Sequence, residues 1–135
     1  MRKFPRKIIL IAVILVLALL VGYFFRKPTI EAFSSDIYTQ EDYNAAVTVV
    51  KRQYNSLTSP TLLKIGYSGD EWTLSQQEYI LHFGDYTEGI VLYSDFYIPK
   101  YFRNSWDAGE TYYNWQWYLA RKDGGDWIVV TSGYG

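Results

Sequence analysis

The sequence predicts an α+β protein in which an N-terminal transmembrane helix precedes a domain with a long helix packed on a mostly antiparallel sheet. Three observations support this prediction. An uncharged run extends from Ile8 to Phe25, apolar residues repeat with a helical period between Tyr43 and Leu57, and three strand-like segments follow Gly84. Such an order, with strands grouped after a helix, is typical of α+β architecture.

The uncharged run, "IILIAVILVLALLVGYFF", predicts a membrane-spanning helix. At ~1.5 Å per residue it is roughly 27 Å long, close to the ~30 Å hydrocarbon core of a bilayer. The alternative is a cleaved signal peptide, whose apolar region has about 7 to 15 residues and ends at a small-residue cleavage site. The longer run here, followed by Arg26 and Lys27 without such a site, favours an uncleaved signal anchor.

Basic residues predict the orientation of this anchor. Four precede the apolar run and two follow it, so the positive-inside bias places the N-terminus in the cytoplasm and the rest outside. The sequence thus predicts a single-pass protein of the cell membrane. Its predicted parts are a cytoplasmic basic segment (1–7), a transmembrane anchor (8–25), a tether (26–36) and an extracytoplasmic α+β domain (37–135).

Charge and cysteine content exclude several functions. After Pro28 the chain has 7 Lys and Arg against 14 Asp and Glu, a formal charge of −7, which argues against a nucleic-acid partner. The chain has no cysteine, so thiolate metal sites, disulfides, a thiol nucleophile and lipoprotein processing are excluded. With a single histidine as well, we expect no metal and no cofactor.

The predicted domain begins with its most regular element, an amphipathic helix. Thr39 is its predicted N-cap, with Asp42 in the capping-box position three residues later. Further elements follow in chain order: a strand over 61–67, a turn at "SGDE", a short helix starting at the capping-box pattern Ser75-x-x-Glu78, a strand over 88–99, and a hairpin of two strands joined by Asp123-Gly124-Gly125.

The hairpin contains three tryptophans, Trp115, Trp117 and Trp127. Pairing across the loop predicts Leu119 opposite Val129, Trp117 opposite Thr131, and Arg121 opposite Trp127, where a cation–π contact can form. The favoured interpretation is packing within a sheet, and the alternative is a platform on which sugars or peptides stack. The pattern leaves open which face is buried.

The pattern W-x-W-x-L-x-R (Trp115 to Arg121), a Gly-rich turn, W-x-V and a terminal G-Y-G resembles the closing hairpin of small exported proteins of low-GC Gram-positive bacteria. With the helix "EDYNAAVTVVKRQY" and the strand "IVLYSDFYI", it is similar to the nuclear-transport-factor-like, cone-shaped α+β family. The resemblance implies a curved sheet and covers roughly residues 33–135. Enzymes of that fold place an Asp and a His in the mouth of the cone, but the fold also hosts binding domains.

Asp95 and His82 are the candidate catalytic residues. Asp95 lies inside an otherwise apolar strand, where burial requires a partner, either Arg121 or the backbone. His82 is the only histidine, and a solvated side chain is the simpler interpretation. The candidates for contact with a ligand or partner are Trp115, Trp117, Arg121, Tyr93 and Tyr97.

These observations favour a non-enzymatic, membrane-anchored domain that binds a ligand or protein at the cell surface. The first alternative is a small lyase-like or isomerase-like enzyme with an Asp, His and Tyr pocket, so the question of enzymatic activity stays open. The second is an accessory component of a secretion or conjugation assembly. The sequence does not define the oligomeric state.

Overall fold

A computed structural model describes residues 3–24, 27–56, 58–102 and 107–134, leaving aside the side chains of residues 23 and 24. Three residues at which predicted segments begin or end lie outside the described ranges: Phe25, Arg26 and Gly135. The elements in chain order are α1 (Arg6–Phe24), β1 (Thr29–Ile30), α2 (Gln40–Lys51) with a 3₁₀ turn (Arg52–Tyr54), β2 (Thr61–Tyr67), α3 (Asp70–Ser75), α4 (Gln77–Leu81), β3 (Glu88–Tyr97), β4 (Thr111–Arg121) and β5 (Ile128–Tyr134).

The predicted transmembrane anchor is wrong. Helix α1 has 19 residues, roughly 28 Å at ~1.5 Å per residue, and its first two residues, Arg6 and Lys7, are cationic. In the parts of the chain that the structure describes, no helix is long and apolar enough to cross a membrane. Four predictions that depend on the anchor are therefore not supported: a signal anchor, a single-pass location in the cell membrane, a cytoplasmic N-terminus and an extracytoplasmic domain.

The chain forms an α+β fold with a mixed five-stranded sheet in the order β1-β2-β3-β4-β5. The pair β1–β2 is parallel, and the other three pairs are antiparallel. Strand β1 lies within the segment 26–36 predicted as a tether. There Thr29 pairs with Lys64, and the Glu31 amide donates to the Ile65 carbonyl at 2.9 Å. This segment therefore contributes to the sheet.

Helix α2 begins where the sequence predicts. The Thr39 hydroxyl accepts from the Asp42 amide at 3.1 Å, and the Asp42 carboxylate accepts from the Thr39 amide at 2.9 Å, which confirms the capping box. The helix buries Tyr43, Ala46 and Val50 against one face of the sheet. On that face they meet Ile65, Ile90, Leu92, Trp117, Leu119 and Trp127.

A second, smaller core lies on the opposite face of the sheet. Ile80 of α4 packs there with Val91, Tyr118 and Ala120. Gly89 makes this approach close, because a Cβ at Gly89 would lie 2.6 Å from the Ile80 side chain. The sheet is therefore covered by a helix on each face.

Two short helices replace the single short helix that the sequence predicts. Helix α3 begins at Asp70, inside the predicted turn, and α4 begins at Gln77. The Ser75 hydroxyl donates to the Trp72 carbonyl at 2.7 Å, so the predicted capping box with Glu78 does not form. Contacts from outside the helix explain the early start: the Asp70 carboxylate accepts from the Ser35 hydroxyl at 2.5 Å.

The hairpin forms with one register shift. Leu119 pairs with Val129 as predicted, but a bulge between Tyr118 and Leu119 places Trp117 opposite Ser132 instead of Thr131. Asp123 and Gly124 have φ of 50° and 71°, and the Gly125 amide donates to the Lys122 carbonyl at 2.9 Å. Two successive positive φ values are typical of the two-residue hairpin turn whose twist matches that of the strands.

Candidate functional site

Arg121 is held by two carboxylates and one ring. Its Nε donates to Glu88 at 2.6 Å and its Nη1 to Asp42 at 3.0 Å, and its guanidinium lies 4.2 Å from the centre of the Trp127 ring. Burial opposes ionisation of Asp42, but hydrogen bonds from Thr39 and Arg121 outweigh it and lower the pKa of that carboxyl. Arg121 is therefore engaged within the fold, and its predicted pairing with Asp95 is wrong.

Asp95 stabilises an irregularity of the sheet. The pairing of β3 with β4 shifts between Ser94 and Phe96, and the Asp95 carboxylate accepts from the Asn114 amide at 2.9 Å. Asn114 has a φ of 58°, in the left-handed region that few residues other than glycine adopt. Asp95 thus bonds the backbone, which is the second of the two partners predicted for it.

His82 lies away from Asp95. It is the exposed C-cap residue of α4, and its Nδ1 is 2.5 Å from the Tyr79 carbonyl. The same helix contacts β3 at Gly89 through Ile80, and from Gly89 to Asp95 the strand rises roughly 20 Å. The two candidate catalytic residues are not brought together. Among the described residues no group of His, Asp and Glu could hold a metal ion.

Trp117 is part of the core. Its indole Nε1 donates to the Ser94 hydroxyl at 2.7 Å, and the Tyr54 hydroxyl lies 2.9 Å from the same oxygen. Only 9% of Trp117 is exposed. These bonds satisfy the hydroxyl group of a serine that is buried in the sheet. Because Trp117 is held in the core by them, it cannot contact a ligand directly.

Tyr93 and Tyr97 are half-buried on β3. A Cβ at Gly66 would lie 2.6 Å from the Tyr93 ring, so this tyrosine covers the backbone of β2. Burial raises the pKa of Tyr93, and the nearby Glu31 adds to this effect. Tyr97 stands between Thr61 and Thr111 in the sheet. Neither tyrosine is placed beside Trp115 by the register.

Trp115 belongs to a group of four rings, hereafter the aromatic cluster: Phe96, Tyr112, Trp115 and Tyr134. Phe96 stacks on Tyr112 with ring centres 5.1 Å apart, and Trp115 meets Tyr134 edge to face, also at 5.1 Å. Phe96 is buried beneath, whereas Tyr134 is 63% exposed. The cluster therefore presents aromatic surface to solvent at the end of β5.

Carboxylates lie beside the aromatic cluster. A hydrogen bond with the Asp107 side chain raises the pKa of Tyr112 to about 12, with smaller contributions from burial and from the charge of Glu110. The π faces of tyrosine and tryptophan carry negative electrostatic potential. The chemistry of the cluster therefore suits an apolar or cationic group and disfavours an anion.

Sequence reasoning identified one member of the aromatic cluster, Trp115, and missed the other three. The register shift at Asp95 sets Phe96 opposite Tyr112, and the bulge in the hairpin sets Tyr134 opposite Trp115. Neither irregularity has a strong sequence signal. The abundance of Tyr and Phe around the two hairpin strands was the available signal.

Comparisons with protein families, with curated proteins and with solved structures find no match. The resemblance to nuclear-transport-factor-like proteins stays a prediction.

Proposed function

We propose that the chain is a non-enzymatic binding domain that holds a cationic group of its partner on the aromatic cluster. The observation that carries this proposal is the exposed Tyr134 ring, which packs against Trp115 and Tyr112, together with the carboxylates of Asp107 and Glu110 that act on Tyr112. A cation over such rings gains about 0.5–1 kcal/mol at an exposed site. The ligand is therefore a lysine, arginine or quaternary ammonium group.

The charge of the chain supports the same class of ligand. After Pro28 the formal charge is −7, and an acidic surface increases the rate at which a cationic partner arrives. Asp107 and Glu110 add negative charge at the cluster itself. Arg121 and Lys122 lie at the other end of β4, where each is paired with carboxylates.

The separation of Asp95 from His82 weighs against the enzyme alternative. A general acid or base has to lie within hydrogen-bond reach of the group that it serves. Asp95 bonds the Asn114 amide, and His82 lies beside Tyr79 and Phe83 at the far end of β3. A binding role needs neither residue.

A titration with the capped amino acid N-acetyl-arginine-methylamide tests this proposal. NMR spectra of the full chain should show concentration-dependent shifts of the Trp115 indole and the Tyr134 ring, with a dissociation constant of roughly 0.2 M or weaker, because one exposed cation–π contact contributes only about 1 kcal/mol. Tyr134→Ala should weaken binding by about fivefold. The Trp115 indole signal is assigned by its loss in Trp115→Phe.

Tyr113→Ala is the matched control. Tyr113 is 66% exposed, follows Tyr112 in the chain and belongs to no ring contact that defines the cluster. Its removal should leave the affinity unchanged. Equal losses in both variants, or shifts located away from Trp115 and Tyr134, would show that the aromatic cluster does not bind the cation.

A further inference from the structure

We infer that the free edge of β5 accepts an extended polypeptide segment as a sixth strand, and that this segment carries lysine or arginine on alternate residues. The inference rests on the proposed function, since the cationic side chains of the added strand are the groups that reach the aromatic cluster. It specifies the partner as a protein with an extended basic segment.

The edge of β5 is suited to strand addition. In the part of the chain that the structure describes, β5 is the last strand of the sheet and pairs with β4 alone. Its sequence, IVVTSGY, contains no charge and no proline, and it begins with three β-branched residues. Edge strands that avoid pairing carry lysine, proline, inward charges or bulges. The bulge of β5 lies at Val130 and leaves the residues from Thr131 to Tyr134 in regular register with β4. Unpaired amides and carbonyls on such an edge are the groups that bind an added strand.

The register of β5 directs the added side chains to the aromatic cluster. Ser132 pairs with Trp117 and Tyr134 with Trp115, so both side chains point to the same face of the sheet. Ser132 is small and exposed. Directly opposed side chains on neighbouring strands lie about 4.5–5.5 Å apart. A lysine or arginine opposite Ser132 therefore passes over this serine to the rings of Tyr134 and Trp115.

Charge selects the occupant of this edge. The chain after Pro28 carries a formal charge of −7, so a second copy brings like charge to the interface, whereas a basic segment brings opposite charge. Asp107 hydrogen-bonds Tyr112 of the aromatic cluster, and the negative charge of Glu110 also acts on this tyrosine. A basic strand gains backbone pairing along β5 and cation–π contact at its end.

The test uses the full chain and a capped seven-residue peptide of sequence Thr-Arg-Val-Arg-Val-Arg-Thr. Two control peptides carry N-methyl groups on alternate residues, one in each register, and a third replaces arginine by norleucine. Calorimetry should give saturable binding of the parent peptide and a loss of about tenfold or more for one N-methylated peptide, because that register loses its donated hydrogen bonds. Amide hydrogen exchange should slow between Ile128 and Tyr134.

The outcomes separate this inference from the proposed function. If both N-methylated peptides bind as the parent does, strand addition is overturned even when norleucine weakens binding. If norleucine has no effect but one N-methylated peptide fails to bind, strand addition stands and cation binding is overturned. The chain could also self-associate without peptide and thereby slow hydrogen exchange of the β5 amides. This result would show that a second copy occupies the edge, and it would overturn the inference.

Discussion

At the scale of single residues, Arg121 of β4 contacts α2, β3 and the loop before β5. It stands at the end of β4, pairs with Glu88 at the start of β3 and with Asp42 in the first turn of α2, and lies over Trp127 before β5. Only 12% of its side chain is exposed. It therefore fixes how α2 sits across one end of the sheet.

Replacing Arg121 by Met should lower the free energy of unfolding by about 2–3 kcal/mol, because two partly buried carboxylates lose charge-assisted hydrogen bonds. Methionine keeps an apolar chain against Trp127, so the loss reports mainly the ion pairs. Urea denaturation followed by tryptophan fluorescence measures the change.

Lys122→Met provides the control in the neighbouring residue. The Lys122–Asp85 pair is exposed, with 55% and 87% of the side chains accessible, and such pairs contribute less than about 1 kcal/mol. Similar losses in the two variants would mean that Arg121 contributes no more than an exposed ion pair.

The sequence predicted part of this residue-scale chemistry. The contact of Arg121 with Trp127 could be predicted because both residues flank a tight turn. The carboxylate partners were not predicted, because Asp42 comes from α2 and because Glu88, on the same strand as Asp95, lies opposite Arg121 only through the register of β3 with β4. Strand patterns predict which face a residue occupies, but they do not predict which charges arrive from other elements.

At the scale of elements, α2 shows where local sequence determines structure. Its capping box, its buried face and its first-turn acids Glu41 and Asp42 are all visible in one continuous segment. Helix α3 shows the opposite case. Its start at Asp70 depends on Ser35, Asp36 and Tyr67, which hydrogen-bond the same carboxylate and lower the pKa of Asp70. A pattern confined to residues 68–78 contains no such information.

Thr39→Ala should lower the free energy of unfolding by about 1 kcal/mol, because the Asp42 amide loses its hydroxyl acceptor. Thermal unfolding monitored by circular dichroism measures this change. Thr48→Ala is the control within the same helix: Thr48 is exposed and its hydroxyl donates to the Asn44 carbonyl. Alanine has the higher helix propensity at that site, so this variant should be unchanged or slightly more stable. Destabilisation of both variants to the same degree would contradict a specific capping contribution.

At the scale of the whole molecule, tyrosine side chains connect the two layers of the fold. Tyr43 is buried in the main core, Tyr54 and Tyr67 are half-buried against it, and burial raises the pKa of each to about 12. The aromatic content of 19% thus contributes to the main core as well as to the surface. The α+β arrangement, the main helix and the antiparallel strands follow from sequence periodicity, whereas the predicted transmembrane helix is wrong and the parallel pairing of β1 does not follow from it.

These phenols should make the chain unstable in alkali. Their raised pKa values mean that the folded state favours the neutral form, so their contribution is complete below the unfolded value of ~10 and is lost as the pH rises through about 12. Tyrosinate absorbance and near-UV circular dichroism should change together in this range. The urea-denatured chain, in which all phenols ionise near ~10, is the reference. Complete ionisation near that pH with unaltered near-UV signal would contradict the prediction.

The two edges of the sheet are unequal, and this limits the assemblies that strand addition can form. Strand β1 offers two residues, Thr29 and Ile30, whereas β5 offers seven. Open-ended polymers need two complementary surfaces on each molecule. In the described part of the chain, only one edge is long enough to pair, so addition ends after one step. We therefore expect complexes of one chain with one partner segment and no filaments.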